Sequence, residues 1–392
     1  MLCMGLVMGA ASAAEAQLTM QMSNGWSFTF GGNVNAFLVY EKASDVAIPS
    51  TPTGGIVGAG GDGVTRIRTG LLPAFAVFDA KGKEGNTDVG VHFGFAPQIQ
   101  CGIGAGSNSV GGQGHDCFGA QIDMRQVYLT VGGSWGQILA GRELGLFGRQ
   151  NILTDQTLFG IGATGGALGG GTTLGRIGFG YIYPQFKAQM TFSTPAGRPF
   201  QLSVGLFDPA TNPPFTTIEL PRVEAEGVWS AGNTKVWVGG LFQNNSTGGA
   251  ADESATAWGG SGGVRFGSAS FSLTASGYYG KGLGTTLLFL NGGTAVGGGE
   301  LRDSYGGIGQ LTFTPANSKV TVAGSWGISI LKGTDAEAFE TKNWLASGGV
   351  YYQATKSLKA VAEFNYAVTG DDSDITDDNK SVAPAVGLML FF

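Results

Sequence analysis

Side chains that support acid–base catalysis are scarce in this sequence. Its 392 residues include two histidines, His92 and His115, although histidine is the side chain that most often transfers protons in enzymes. The stretch GIGATG at 160–165 matches G-x-G-x-x-G, but no strand–helix pattern surrounds it and no acid follows at the distance of a dinucleotide site. We therefore expect no enzymatic activity.

Two of the three cysteines frame one polar stretch, CGIGAGSNSVGGQGHDC, which runs from Cys101 to Cys117. So few cysteines are typical of an exported protein with at most one disulfide bond. A disulfide between Cys101 and Cys117 would stabilise this segment by about 3 kcal/mol in the simplest loop-entropy model. A metal site that adds His115 and Asp116 is the alternative, but its spacing fits no regular zinc pattern. We predict the disulfide.

A second polar stretch, GDDSDITDDN at 370–379, concentrates carboxylates. Hard oxygen ligands this close together could hold Ca²⁺ or Mg²⁺, which makes Asp372, Asp374 and Asp377 weak candidates for a divalent site. The EF-hand spacing and its glycine are absent, so a solvated acidic loop is the simpler interpretation. We predict no resident cofactor, with divalent ions confined to such exterior loops.

The composition argues against an ordinary soluble enzyme. Glycine accounts for 71 residues and charged residues for 13% of the chain, about half of the usual charged share. No window holds the 18 or more apolar residues of a transmembrane helix, so the apolar residues are spread over many short segments. The net charge of −6 and the lack of a basic run argue against a nucleic-acid partner.

Apolar and polar residues alternate over segments of about ten residues. In DVGVHFGF, for example, Val89, Val91, Phe93 and Phe95 share one face, and His92 lies on the other. This period of two predicts β-strands with one apolar and one polar face. A membrane barrel with a wet lumen has such strands. A soluble sandwich would show the same alternation, so the connections must decide between them.

The connections alternate in length. We predict sixteen strands, at 24–41, 63–80, 86–99, 121–132, 135–143, 176–194, 199–207, 221–231, 234–243, 255–267, 269–281, 300–314, 318–331, 341–354, 357–369 and 381–392. Long segments follow the odd-numbered strands, and brief turns such as KGKEG, AGRP and PANS follow the even-numbered ones. Pro184 interrupts the sixth strand, but splitting it would give seventeen strands, which a closed antiparallel barrel with adjacent termini cannot use. The predicted fold class is all-β: a transmembrane antiparallel up-and-down β-barrel with both termini periplasmic.

The first residues, MLCMGLVMGAASAAEAQ, have an apolar stretch followed by small residues, as in a secretory signal peptide. Cleavage after Ala14-Glu15-Ala16 would remove residues 1–16 and leave 17–392 as a single barrel domain. The usual basic start of a signal is missing, so we expect translation to begin further upstream. A flexible N-terminal segment is the alternative.

With this layout, the segment QIDMRQVYLTVGGSWGQILAGRELGLFGRQ at 121–150 resembles the general porins of Gram-negative bacteria. In that family an R-Q/N-x-Y-x-x-L strand turns tightly into a strand that ends in G-R. The resemblance implies a homotrimeric outer-membrane channel for passive diffusion of small hydrophilic solutes and ions, embedded among lipids and lipopolysaccharide. It also implies that the next long loop, 144–175, folds inward and narrows the pore. A substrate-specific channel and a structural or adhesive surface barrel are the alternatives.

Selectivity in such a pore depends on its width and on the charges at its narrowest point. The candidate constriction residues are Arg66, Arg68, Arg125, Arg142, Asp155 and Arg176. The resemblance implies basic pore-lining residues at Arg125, at Arg176 and on the strand of Arg66 and Arg68. Several arginines against one acid predict a weak anion preference, which acidic outer loops could offset.

Alternate residues of a strand face opposite sides, and the side on which a residue falls, here called its parity, bears on these candidates. Arg66 and Arg68 alternate with Ile67, so they point into the lumen if Ile67 faces lipid. Arg125 shares the parity of outward residues and reaches the lumen only beyond a bulge or near the outer end of its strand. For each arginine the alternative is an interfacial position or an ion pair in the barrel wall, and for Asp155 it is a local loop cap.

The chain ends in APAVGLMLFF, an apolar sequence up to its last residue. Val386, Leu388, Leu390 and Phe392 share one face, as expected for a lipid-facing row. This closing strand must pair with the first strand so that no edge is exposed to lipid. The resemblance further implies that the outer-membrane assembly machinery reads Phe392.

Overall fold

The chain is mostly β-strand. A computed structural model describes residues 18–44, 53–58, 63–100, 122–165, 171–210, 215, 219–246, 254–286, 292–294, 300–371 and 378–392. The strands are β1 (Leu18–Gln21), β2 (Ser27–Ala43), β3 (Val64–Arg68), β4 (Phe75–Glu84), β5 (Thr87–Pro97), β6 (Ile122–Gly133), β7 (Gly136–Leu144), β8 (Phe186–Ser193), β9 (Phe200–Phe207), β10 (Arg222–Ala231), β11 (Thr234–Ser246), β12 (Ser254–Gly267), β13 (Phe271–Lys281), β14 (Asp303–Phe313), β15 (Val320–Lys332), β16 (Glu340–Gln353), β17 (Leu358–Gly370) and β18 (Asn379–Phe391). The helices are α1 (Arg149–Thr154) and a 3₁₀ turn (Gln156–Phe159). No helix within the described residues is long and apolar enough to cross a membrane.

The eighteen strands close into an antiparallel barrel with sixteen strand positions around its circumference, here called staves, which confirms the predicted fold class. Strands β3 and β4 pair with successive halves of one side of β2 and together form a single stave. On its other side β2 pairs with β18, and β1 pairs with β2 beyond the end of β18. The junction between β2 and β18, where the barrel closes, is here called the seam. The last residue completes it, because Phe392 and Gly32 exchange both of their backbone hydrogen bonds, at 2.7 and 3.0 Å.

The alternation of faces follows the prediction. On β18, Val386, Leu388 and Leu390 are about half exposed on the outside, whereas Met389 and Phe391 are buried inside. On β5, Val91 and Phe93 are exposed, whereas His92 is buried on the inner face. An outward apolar row on each stave fits a hydrocarbon environment, where unpaired backbone groups are excluded by closure.

The sixth strand was predicted at 176–194, and its predicted start is ten residues too early. Strand β8 begins at Phe186, and the preceding residues belong to a loop inside the barrel. The alternation of small and large residues in RIGFGYIY imitates a strand. However, Gly178 and Gly180 adopt φ of +82° and +136°, a conformation that interrupts a regular strand ladder. The count of sixteen therefore survives without a split at Pro184.

Candidate functional site

The segment between β7 and β8, residues 145–185, folds into the barrel, and we call it the inward loop. Its backbone and side chains bond to inward-facing groups on strands all around the lumen, from β3 through β10 and β11 to β14–β17. Such contacts lie far apart in sequence, so no local pattern predicts them. The loop is attached to the wall at several points.

Two buried glutamates on the wall each hold a pair of consecutive loop amides. Glu224 on β10 accepts hydrogen bonds from the backbone N–H groups of Leu146 and Phe147, at 2.7 and 2.9 Å. On the far side, Glu363 on β17 accepts them from Ile161 and Gly162, at 3.1 and 2.6 Å. Hydrogen bonds from backbone N–H groups to a carboxylate are stronger than neutral ones. These two glutamates therefore fix both arms of the loop.

Neither glutamate was predicted from the sequence, although a signal for Glu363 is present in it. In KAVAEFNYAV, Glu363 and Asn365 lie on the polar, inward face of the alternating strand. Gln310 on β14 also lies on the inward face of its strand. It accepts a hydrogen bond from the Gln156 N–H and donates one to the Thr154 carbonyl. Inward parity could have selected these residues, but parity alone does not say what they touch.

Helix α1 lies against β10 and β11. The Arg149 guanidinium and the Gln150 amide both donate to Glu226, at 2.5 and 3.0 Å. At the next residue, the indole N–H of Trp237 donates to Asn151 at 2.8 Å. Lumen-facing residues of two wall strands thus position a short helix that would be marginal alone.

Asp155 caps the 3₁₀ turn. Its carboxylate accepts hydrogen bonds from the backbone N–H and hydroxyl of Thr157, at 2.9 and 2.7 Å, and from the hydroxyl of Tyr181 at 2.8 Å. Asp155 is 2% exposed. Burial and the neighbouring Asp155 carboxylate raise the pKa of Tyr181 well above its ordinary value. Of the two interpretations from sequence, these contacts match the local loop cap.

Arg68 and Arg176 connect the loop to the wall. Arg68 on β3 is buried, and its guanidinium donates to the backbone carbonyls of Thr164 and Thr172, at 3.2 and 2.9 Å. Arg176 lies in the loop itself rather than at the start of a strand. It is fully buried and donates to the Leu345 carbonyl and the Ser325 carbonyl, both at 2.8 Å. Both side chains are shielded from water.

The remaining arginine candidates are less buried than these two. Arg66 is half-buried on β3, on the inner face that it shares with Arg68. Arg125 is the extra residue of a β-bulge, because Gly94 pairs with Gln126 while Phe95 pairs with Met124. At this bulge Arg125 contacts Asp123 at 2.7 Å and lies over the ring of Phe186, where the inward loop ends.

Arg142 is on the outside of the barrel. It is exposed, and it lies in register with Val127 and with Ala188, which shares the parity of the exposed Met190. The expectation that Arg142 lines the pore is therefore corrected. Its neighbour Glu143 takes the inner face instead.

Three sequence-based predictions involve residues beyond those that the structure describes. These are the disulfide between Cys101 and Cys117, the divalent site at Asp372, Asp374 and Asp377, and the signal peptide 1–16. Among the described residues, no group of three or more His, Cys, Asp or Glu side chains could hold a metal ion.

Comparison with known proteins decides the family. A family model described as Gram-negative porin matches residues 4–373. The chain belongs to the Gram-negative porins. The membership agrees with the resemblance found in the sequence, and it makes this protein an outer-membrane channel for passive diffusion. None of the curated proteins matches the chain.

Solved structures of outer-membrane proteins share the fold of this porin. The channel DcaP of Acinetobacter baumannii is 17% identical with a TM-score of 0.69, and the match covers 95% of this chain and 99% of that one. An anion-selective porin from Comamonas acidovorans is 12% identical with a TM-score of 0.63, covering 94% and 100%. OmpT of Vibrio cholerae is 14% identical with a TM-score of 0.59, covering 96% and 100%. At these identities the likeness concerns the fold.

Inside this porin, a cavity of about 440 Å³ lies between α1 and the inner faces of β4–β11. It reaches the short turn between β8 and β9, so it faces the end of the barrel that carries the tight turns. Four cationic and four anionic side chains line it: Lys81, Arg149, Arg198, Lys235, Asp79, Asp88, Glu143 and Glu226. Amides and hydroxyls such as Gln137, Thr130 and Ser203 fill the spaces between them.

The opposite side of the lumen is filled by apolar packing. Ile161, Ile177 and Tyr181 of the inward loop are buried against wall residues that include Phe37 and Tyr351. A segment that follows β2 also enters the barrel, since Ile56 is buried beside Phe179 and Leu345. The polar cavity and the apolar packing therefore occupy different sides of the lumen.

Proposed function

We propose that small hydrophilic solutes and ions cross this porin on the β4–β11 side of the lumen, past α1, without any chemical reaction. The observation that carries the proposal is the asymmetry of the lumen. Polar side chains surround the cavity on that side, whereas the inward loop packs against β3 and β14–β17 on the other. Water and solutes follow the polar side, because the polar groups of the packed side are buried and already bonded to the inward loop.

Thiol labelling of single cysteines tests this path. Gln137 is exposed and lines the cavity, whereas Ser329 on β15 is fully buried and accepts a hydrogen bond from the Gly180 N–H. A charged thiol reagent should reduce the conductance of a Gln137→Cys channel and leave a Ser329→Cys channel unchanged. The reverse pattern would place the path on the other side. The wild-type protein, with its own cysteines, is the control for background labelling.

The charges along this path support weak ion selectivity. The anionic and cationic side chains of the cavity are equal in number, and several of them pair directly, as Arg149 does with Glu226. The arginine-rich constriction expected from the sequence is not supported, because Arg68, Arg176 and Asp155 are buried. A reversal potential close to zero under a salt gradient is the expected result, and a strong preference for either ion would contradict it.

Assembly follows the same proposal. We infer a homotrimer, in keeping with the general porins that the sequence resembles. We infer periplasmic termini because β1 and Phe392 lie at the end of the barrel that carries the tight turns. The support from a relative is limited to one form of the Vibrio cholerae protein, which is described as a trimer. Crosslinking in intact membranes tests the trimer, and protease access to a terminal tag in whole and permeabilised cells tests the orientation. Lipopolysaccharide and the assembly machinery remain proposed partners, and no cofactor is proposed.

A further inference from the structure

Three basic side chains lie in a row across neighbouring strands, at the end of the barrel that carries the tight turns. Lys235 at the start of β11 is directly opposite Arg265 on β12 and, on its other side, directly opposite Ser230 on β10. The backbone N–H of Ser230 bonds to the carbonyl of Pro199 at 2.7 Å, which places the preceding residue, Arg198, next in line. Neighbouring strands are about 4.8 Å apart. We call Arg198, Ser230, Lys235 and Arg265 the basic row.

The basic row faces the lumen rather than lipid. Three of its members line the cavity. The fourth, Arg265, is flanked by Val264 and Phe266, whose side chains are exposed on the outer face, so Arg265 takes the inner face. Three of the four side chains are exposed and Lys235 is half-buried. A solute in the lumen can therefore touch the row, whereas a lipid headgroup cannot.

The positive charges of the row are not balanced by the chain. Lys235 and Arg265 are like charges directly opposite each other on one face, which destabilises a sheet. Within the described part of the chain, no carboxylate forms an ion pair with Arg198, Lys235 or Arg265. Glu226, which is also on the inner face of β10, is paired with Arg149 instead.

The row also has hydrogen-bond donors to spare. An ammonium group has three donors and a guanidinium group has five. The Lys235 ammonium donates to the amide oxygen of Gln150 at 2.5 Å, which uses one donor and adds no negative charge. The hydroxyl of Ser230 lies between the cations of β11 and the turn before β9. Unbalanced cations with unused donors, all in contact with the lumen, indicate an anionic ligand that accepts several hydrogen bonds.

We propose that the basic row is a binding subsite for the phosphate group of small phosphate monoesters. Such a group carries about two negative charges and three strong acceptor oxygens, enough for one oxygen toward each of the three cations. A carboxylate has one charge and two oxygens, so it satisfies fewer of them. Guanidinium groups also bind phosphate in a bidentate manner. The inference rests on the proposed function, because a solute reaches the row only if the cavity is part of its path.

Two anions of similar shape test the requirement for charge. Methyl phosphate and methanesulfonate each carry one methyl group and three terminal oxygens, but at about pH 8 the first has about two negative charges and the second has one. In planar-bilayer recordings of the purified full-length protein, at constant chloride and ionic strength, methyl phosphate should reduce the current in a saturable manner. Methanesulfonate at the same concentrations should change it much less. Equal reduction by both anions would overturn the subsite.

Two variants and a matched control locate the subsite. Arg265→Gln and Arg198→Gln each remove one charge from an exposed side chain, and each should raise the half-blocking concentration of methyl phosphate about fivefold, as expected for an ion pair in contact with water. Lys319→Gln removes an equal charge from an exposed side chain in the turn between β14 and β15, and should change it less than about twofold because salt screens distant charges. Equal effects of all three variants, or unchanged block in Arg265→Gln, would overturn the assignment.

The subsite and the proposed function fail in different ways. A wild-type protein that folds and inserts without conductance would contradict the proposed function. A wild-type protein that conducts chloride normally, but shows no saturable block by methyl phosphate, would overturn the subsite and leave the diffusion channel unaffected.

Discussion

The carboxylate of Glu363 accepts a 2.6 Å hydrogen bond from the backbone N–H of Gly162, a residue 201 positions earlier in the chain. Glu363 is on the barrel wall and Gly162 is on the inward loop, so this bond sets how far the loop reaches across the lumen. The same carboxylate accepts from the Ile161 N–H and from the Tyr351 hydroxyl. Glu363 is therefore one of several wall residues that hold the inward loop and with it the width of the channel.

Glu363→Gln should loosen the inward loop. The variant keeps the size of the side chain, and its amide oxygen can still accept from the N–H groups of Ile161 and Gly162. Its amide nitrogen cannot accept from the Tyr351 hydroxyl, which loses its acceptor, and the negative charge that strengthens the other bonds is removed. The loss should lower the free energy of unfolding by about 1–3 kcal/mol. Single-channel recordings should show larger current fluctuations than the wild type. Glu84→Gln, an exposed position next to a tight turn, is the control, and equal behaviour of the two variants would contradict the role of Glu363.

Arg176→Met should destabilise the barrel, and Arg142→Met should not. Arg176 is fully buried and donates to two wall carbonyls, so its loss leaves buried acceptors unpaired at about 1–3 kcal/mol each. Arg142 is exposed on the outer face near the end of β7, where exchange of arginine for an apolar residue should be neutral or stabilising, by about 0–1 kcal/mol near a membrane interface. Urea unfolding in lipid vesicles measures both. A stable Arg176→Met protein would show that the loop is held without it.

Asp155→Asn should leave ion selectivity unchanged. The carboxylate is buried among Thr157 and Tyr181 rather than exposed to the pore. The raised pKa of Tyr181 means that its hydroxyl donates at every pH below the ordinary tyrosine range, and that the bond is lost only well above that range. The reversal potential should therefore be equal in wild type and variant from neutral pH up to about pH 9. A shift of the reversal potential on substitution would return Asp155 to the list of pore charges.

Deletion of Phe392 should impair assembly without altering selectivity. The residue supplies two backbone hydrogen bonds to Gly32 and a ring contact with Phe30 at 5.4 Å between centroids, and all of them lie at the closing seam. Surviving barrels retain every residue of the cavity. The yield of heat-modifiable protein in membranes should fall, and the reversal potential should remain that of the wild type. Normal yield would contradict the importance of the seam.

The barrel was predictable from the sequence because its pattern is local. Alternation in DVGVHFGF and in the final strand specifies which face meets lipid, and a parity conflict at Arg125 pointed to the bulge that the structure contains. Long and short connections gave the number of staves. Each of these features depends on neighbours within a few residues or on spacing along the chain.

The interior was less predictable because it depends on distant contacts. Arg68 and Arg176 are of the residue type expected for pore charges, yet they bond to carbonyls that lie about a hundred residues or more away in the sequence. Residues 176–183 alternate like a strand, although their apolar side chains pack inside the barrel. Only the closed barrel brings these groups together, so strand parity and composition could not distinguish a water-facing arginine from a buried one.

Single-channel conductance of the purified protein in planar bilayers tests the central claim most directly. Neutral polymers of graded size report the width of the water-filled path in the same recordings. We predict discrete, nearly ohmic steps that only the smaller polymers reduce, with a size limit that increases in Glu363→Gln. A wild-type protein that inserts and folds but shows no steps, or steps with a size limit that Glu363→Gln leaves unchanged, would contradict a diffusion channel narrowed by the inward loop.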